Sequence, residues 1–157
     1  MAHKIKFSAR GENYFMKKLS AVIIILLLLI IFSPKVYASQ SNNIFYYELE
    51  NGQTKLKHEA INFIGDFTKE QIAFIIFDNL IDSKRMFIPK NSHLIWAKIK
   101  DENLILNISN QIKNYGGSYF ERHLVNQIKM TADDLNIQSL KILIDGENEY
   151  LSEGTIF

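Results

Sequence analysis

A chain of 157 residues, 47% hydrophobic and 22% charged, has room for one domain with a sizeable core. It contains no cysteine, which excludes a disulfide framework, a thiol nucleophile, a Cys-based zinc site and a lipid-anchoring cysteine. The formal charge of +1 conceals an asymmetry: six of the 18 Lys and Arg precede Ser39 but only Glu12 of the 17 acidic residues does, so residues 39–157 carry 12 basic against 16 acidic groups, a net charge of −4. A nucleic-acid partner, which wants a clustered basic surface, is not indicated.

Residues 16–38 have the layout of a signal peptide or membrane anchor. Lys17 and Lys18 precede twelve uninterrupted apolar residues at 21–32, Pro34 breaks the run, and Val36-Tyr37-Ala38 offers small residues for a cleavage site. A spanning helix needs roughly 20 apolar residues. The span 19–32 supplies fourteen, Ser20 included, which favours a cleaved signal over an anchor. Residues 1–15 read as an N-terminal extension or a misassigned start, with Met16 as the true one. Residues 39–157 are then a single extracytoplasmic domain, secreted or anchored, with membrane contact only through residues 19–32.

Residues 39–43 form a polar lead, and the aromatic-rich 44–49 reads as the first strand. Asn51-Gly52 is a hairpin cue, with a weaker second strand within 56–64. Thr68 and Gln71 make a capping box ahead of a helix over 72–81. Ile72, Ile75, Ile76 and Leu80 share one face, yet Phe74, Phe77 and Ile81 lie elsewhere, so the helix is buried on more than one side or offers a flank to a partner. Residues 82–90 form a loop with Pro89 outside the sheet interior. Two strands, 94–99 and 104–108, flank a polar four-residue loop at 100–103, with Ile95, Ala97 and Ile99 alternating along the first and Leu104, Leu106 and Ile108 along the second.

Gly116 and Gly117 permit a sharp turn after Tyr115. Ser118 with Glu121 three residues on is a second capping box, starting a helix at Ser118 or one residue later. Phe120, Leu124, Ile128, Thr131 and Leu135 fall on one face; Glu121, Arg122, Asn126, Lys129 and Asp133 fall mostly on the other, facing water. Asn136 suits a left-handed helix end. Leu140, Ile142 and Ile144 alternate as a last strand, and Asp145-Gly146 is a turn. The tail after Tyr150, LSEGTIF, has no periodicity. The sum is an α+β domain: about five strands in a mainly antiparallel sheet, with two helices packed on it.

The order and spacing of Gly116-Gly117-Ser118, Leu124-Val125-Asn126-Gln127-Ile128, Thr131 and Ile142-Leu143-Ile144-Asp145-Gly146 resemble the C-terminal half of the GerM-like (GerMN) domain of bacterial sporulation and germination proteins. The hairpin after Pro89 is similar to the middle of that domain, and the resemblance extends over about residues 44–150. It implies a non-enzymatic, exported cell-envelope module that binds a protein partner in sporulation, germination or envelope assembly, with the forespore intermembrane space as a location. Peptidoglycan is an alternative partner. Tyr115, Gly116, Gly117, Ser118, Tyr119, Asp145 and Gly146 are the candidate motif or partner-binding positions. The helix over 72–81 and the aromatic edge at 44–47 are further contact surfaces.

No catalytic set is legible: there is no P-loop, GxSxG or dinucleotide fingerprint, and no cofactor is indicated. His58, His93 and His123 stand outside any metal-ligand spacing, so no metal site is expected. Asp133 and Asp134 read as a solvated face. Glu121 could serve as one of the two carboxylates of a wall hydrolase, but capping already accounts for it. Gly116 and Gly117 ahead of a helix could hold an anion. Tyr46, Tyr47, Trp96, Tyr115 and Tyr119 could stack on sugar rings. Asn107-Ile108-Ser109 matches a glycosylation acceptor only formally. N-terminal sequencing of the protein from fractionated cells is expected to begin at Ser39; recovery from membranes with Lys17 and Lys18 intact would instead establish an anchor.

Overall fold

The computed structural model describes Ile23 and residues 39–82, 85–148 and 150–155. The chain divides into two units, Met1–Val36 and Tyr37–Phe157. The extension at 1–15 and the signal or anchor at 16–38 lie outside the described residues, Ile23 apart. Among the described residues no helix is long and apolar enough to cross a membrane.

Strands β1 (Ser39–Glu50) and β2 (Gln53–Ile64) form a two-stranded antiparallel ribbon. Asn51 and Gly52 connect them, both with positive φ (52° and 75°), the conformation that matches strand twist in a two-residue hairpin turn. The ladder runs unbroken through twelve pairs, from Ser39↔Ile64 to Glu50↔Gln53. Both strands are longer than expected: β2 begins at Gln53, and the polar lead 39–43 belongs to β1. Tertiary hydrogen bonds recruit that lead. Asn43 N donates to Asp134 Oδ2 at 2.7 Å, Asn42 Nδ2 to the Asp134 carbonyl at 3.2 Å, and Phe45 N to Thr131 Oγ1 at 3.0 Å.

Helix α1 (Lys69–Asp82) starts as its capping box dictates. Thr68 N donates to Gln71 Oε1 at 2.9 Å, and Gln71 N to Thr68 Oγ1 at 3.2 Å. Ile72, Ala73, Ile76, Phe77, Leu80 and Ile81 are buried, so the helix is buried on more than one side, and Phe74 is left exposed. Strands β3 (Leu94–Lys100) and β4 (Asn103–Ile108) pair around a turn of two residues, Asp101 and Glu102, tighter than the four-residue loop expected. A bulge between Leu94 and Trp96 turns both Leu94 and Ala97 inward and leaves Ile95 exposed, which breaks the expected alternation. β4 is the central strand, with Leu104, Leu106 and Ile108 fully buried.

A 3-10 turn (Asn110–Lys113) that buries Ile112 leads to helix α2 (Ser118–Asp134) and then β5 (Ser139–Ile144). Leu124, Ile128, Thr131 and Leu135 face the core, and Asn136 has the expected left-handed φ of 52°. β5 pairs with β4 in parallel. The expected single sheet of five mainly antiparallel strands is therefore two sheets, β1-β2 and a mixed β3-β4-β5. The cause is α2. Its 17 residues span about 25 Å at 1.5 Å per residue, enough to return the chain to the starting end of β4, and such a crossover yields parallel pairing. The same helix sits against β1, where a third ribbon strand would have been.

Replacing Thr131 by valine keeps the shape of the side chain and removes the acceptor for Phe45 N. The expected cost is about 1–3 kcal/mol, read as a lower urea midpoint; an unchanged midpoint would show that α2 does not hold the ribbon through this bond.

Candidate functional site

The glycine turn before α2 is built differently from its sequence pattern. Gly117, with φ 86°, occupies the N-cap position, and Ser118 is already helical, exposed, and without a side-chain cap bond. Phe120 N and Glu121 N both donate to the Gly117 carbonyl, at 3.1 and 3.3 Å. The helix thus starts one residue before a Ser118 cap would allow, which moves the Ser118 hydroxyl off the amide it would have capped and turns Glu121 inward. The expected capping box, and Glu121 as a water-facing residue, are both overturned: Glu121 is 2% exposed.

The buried Glu121 carboxylate binds the C-terminal segment. Its Oε2 accepts from Glu153 N at 2.7 Å, its Oε1 from Thr155 N at 3.0 Å, and the Tyr115 hydroxyl donates to Oε2 as well. Ser152 N donates in turn to Tyr115 Oη at 3.3 Å, and Ser152 Oγ to the Lys113 carbonyl at 2.8 Å. Leu151 is buried, and Gly154, with φ 92°, closes a small turn. As far as Thr155 the aperiodic tail is therefore held by backbone hydrogen bonds, which leave no mark on hydropathy. Burial pushes the Glu121 carboxyl up, but the bonds from Thr155, Tyr115 and Glu153 outweigh it and hold the group below its ordinary 4.5. The Tyr115 phenol moves the other way, well above its ordinary 10.0, through burial first and then its bond to the neighbouring carboxylate, and so stays a donor.

This arrangement bears on two expectations. The anion at the helix start is supplied internally, because Gly117 N donates to Glu153 Oε1 at 3.2 Å. The general acid of a glycosidase needs a raised pKa, whereas Glu121 is held ionised and bonded to amides.

The remaining candidates divide between two places. Tyr115 stacks on Phe120, with ring centroids 5.1 Å apart and 8° between planes. Tyr119 is 52% exposed and shares a hydrogen bond of 3.1 Å with Thr54 Oγ1. Asp145 and Gly146 instead tie the ends of β4 and β5 together: Gly146 N donates to Asn107 Oδ1 at 2.7 Å, and Asn110 N to Asp145 Oδ1 at 3.3 Å. No hydrogen bond among the described residues joins them to the glycine turn. Asn107 of the formal glycosylation motif is buried by this turn.

Phe87 is the residue that sequence reasoning missed. It has φ 65°, a conformation that bulky side chains rarely adopt, and lies within the loop at 82–90. Its ring stacks on His123 at 4.5 Å and meets Phe120, Tyr47 and Tyr119 at 5.2, 5.8 and 5.8 Å. Nothing in the local sequence signals that geometry. Beside this cluster a cleft of about 650 Å³ runs between the outer face of α2 and the tail, with Arg122, His123, Asn126 and Lys129 on one side and Glu153 and Thr155 on the other. Asn126 Nδ2 donates to Tyr47 Oη at 2.6 Å within it. The five aromatic residues considered for sugar stacking do not form one platform. Tyr46 lies under Arg85, Trp96 under Lys98, Tyr47 in the Phe87 cluster and Tyr115 on Phe120, which leaves Tyr119 as the exposed one. Asp134 is half-buried and anchors β1, whereas Asp133 is exposed. Among the described residues no group of three or more His, Asp or Glu is placed to hold a metal ion.

Glu121 makes a signed prediction. A carboxyl held below 4.5 in the folded state contributes stability that is complete above 4.5 and is lost as pH falls through the lowered value. Glu121→Gln should remove that acid-side dependence and speed hydrogen exchange at the Glu153 and Thr155 amides at neutral pH. Equal exchange in the two proteins would refute the carboxylate's hold on the tail.

The domain matches known proteins at the levels of family and fold. A family model described as Germane, sporulation and spore germination, matches residues 43–150. No curated protein sequence matches the chain. The tandem GerMN domains of the sporulation protein GerM from Bacillus subtilis superpose with a TM-score of 0.51 at 19% identity, over 76% of this chain and 45% of that one. The chain thus spans less than half of that tandem structure. A crystal structure from Clostridium perfringens described as a lipoprotein gives 0.48 at 19% identity, over 71% of this chain and 78% of that one. The family match covers more than half of the chain and most of the unit Tyr37–Phe157, from within β1 to beyond β5, and the chain therefore belongs to the Germane family of sporulation and spore germination domains.

Proposed function

We propose that the protein is an exported, non-enzymatic envelope module that acts in sporulation or germination by binding another protein. The observation that carries this reading is the family match over residues 43–150. Two further features support it. Glu121, the carboxylate that a wall hydrolase would have drawn on, is engaged by backbone amides of the tail. Export rests on the charge and hydropathy layout of residues 16–38. The structural neighbour GerM is a sporulation protein by its description, which agrees with the same setting.

The surface for the partner is the open cleft along α2. It presents Arg122, Asn126 and Lys129 next to the exposed Tyr119, a mixture of charge, hydrogen-bonding groups and an aromatic ring that suits a polar protein surface. A wall-sugar module is the alternative; its support is narrower, because Tyr119 alone of the candidate rings is widely exposed.

Deleting the gene in its spore-forming host should lower the yield of heat-resistant spores or delay germination. A secreted, folded copy carrying Tyr119→Asp and Arg122→Glu should fail to restore it. Normal sporulation and germination in the deletion strain would overturn the proposal, and retention of the purified protein on isolated cell wall would favour the alternative.

A further inference from the structure

The two edges of the β1-β2 ribbon are treated differently by the fold. With the turn closing on Glu50 and Gln53, alternate residues of each strand turn their backbone groups away from the partner strand. On β1 these include Asn43 and Phe45, and both amides are satisfied by side chains of α2. A bridge between Tyr47 and Met86 continues that closure. On β2 they are Thr54, Leu56, His58, Ala60, Asn62 and Ile64, and no described strand or side chain pairs with their backbone groups. Natural edges are usually blunted by proline, bulges or brevity. β2 is twelve residues long with no proline, and its pairing with β1 shows no register shift.

The sequence of this edge is complementary to itself. In an antiparallel pairing of two copies about a two-fold axis at His58, Lys57 of each copy lies opposite Glu59 of the other, twice per dimer. The exposed Leu56 then faces Ala60, and Thr54 faces Asn62. Moving the axis to Glu59 sets Glu59 against Glu59, and moving it to Lys57 sets Lys57 against Lys57 between two Lys55–Glu59 pairs, so of the three registers only the one centred on His58 has no like-charge pair. Lys57 and Glu59 bond within the chain to Glu50 at 3.2 Å and Arg85 at 2.8 Å. Their side chains remain 39% and 58% exposed, so each can take a second partner across the axis.

We propose that the outer edge of β2 is a self-association surface, on which a second copy of this chain adds its own β2 to make a continuous four-stranded antiparallel sheet centred on His58. The test is sedimentation of the full chain in mild detergent, with zero-length carbodiimide crosslinking. A dimer is expected, with a Lys57–Glu59 crosslink between copies. Lys57→Glu and Glu59→Lys should each sediment as a monomer, because each sets like charges face to face, and an equimolar mixture of the two should recover the dimer. That recovery distinguishes a contact from a folding defect. Ala60→Pro, which removes an outward-facing amide and none of the bonds to β1, should also be monomeric. A monomeric wild-type chain up to its solubility limit, a dimer indifferent to these substitutions, or a mixture that stays monomeric would each overturn the proposal.

Discussion

Backbone amides that no strand reaches must find acceptors elsewhere, and in this domain helix α2 provides them. Thr131 and Asp134 receive the outward amides of β1, and Glu121 receives those of Glu153 and Thr155. The helix thus acts at once as an apolar layer, through Leu124, Ile128 and Leu135, and as a surrogate strand for two segments distant in sequence. Charged acceptors suit that role, since hydrogen bonds to a carboxylate are stronger than neutral ones.

The architecture follows from that one element. Because α2 closes the inner edge of the ribbon, β1 and β2 do not merge with the other three strands, and two sheets result. Because α2 also carries the chain back along β4, β5 enters in parallel and β4 becomes the buried centre. The turn at 115–117 and the tail then meet at the first turns of the helix, where Tyr115 and Glu153 complete the carboxylate's surroundings. What this leaves on the surface is the cleft beside Arg122 and Lys129, the ring of Tyr119 and the long outer edge of β2. Glu121 and Asp134 are both engaged by backbone amides, of the tail and of β1.

Much of the local structure was legible in the chain. The Thr68–Gln71 capping box formed as its spacing requires, because each of its bonds lies within four consecutive residues. Asn51-Gly52 made its turn, and Asn136 its left-handed helix end, because these residues tolerate positive φ wherever they stand. The inward faces of β4, α2 and β5 followed from hydrophobic period. The GerM-like resemblance rested on the same kind of local order, and the family match bears it out.

What failed was whatever depended on a distant partner. Ser118 and Glu121 have the spacing of a capping box, yet the positive φ of Gly117 started the helix first and the tail amides drew the glutamate inward. Residues 39–43 carry no strand signal and became strand because Asp134 waits for their amides. Phe87 entered an unfavourable backbone region at the centre of four other rings. Sequence alone determined the composition, the candidate export segment, most of the helices and strands and the family, all of which are written in short-range pattern. Tertiary structure alone decided the division into two sheets, the burial of Glu121 and the open edge of β2, because hydrogen bonds between segments up to 92 residues apart depend on chain path, to which local propensity is blind.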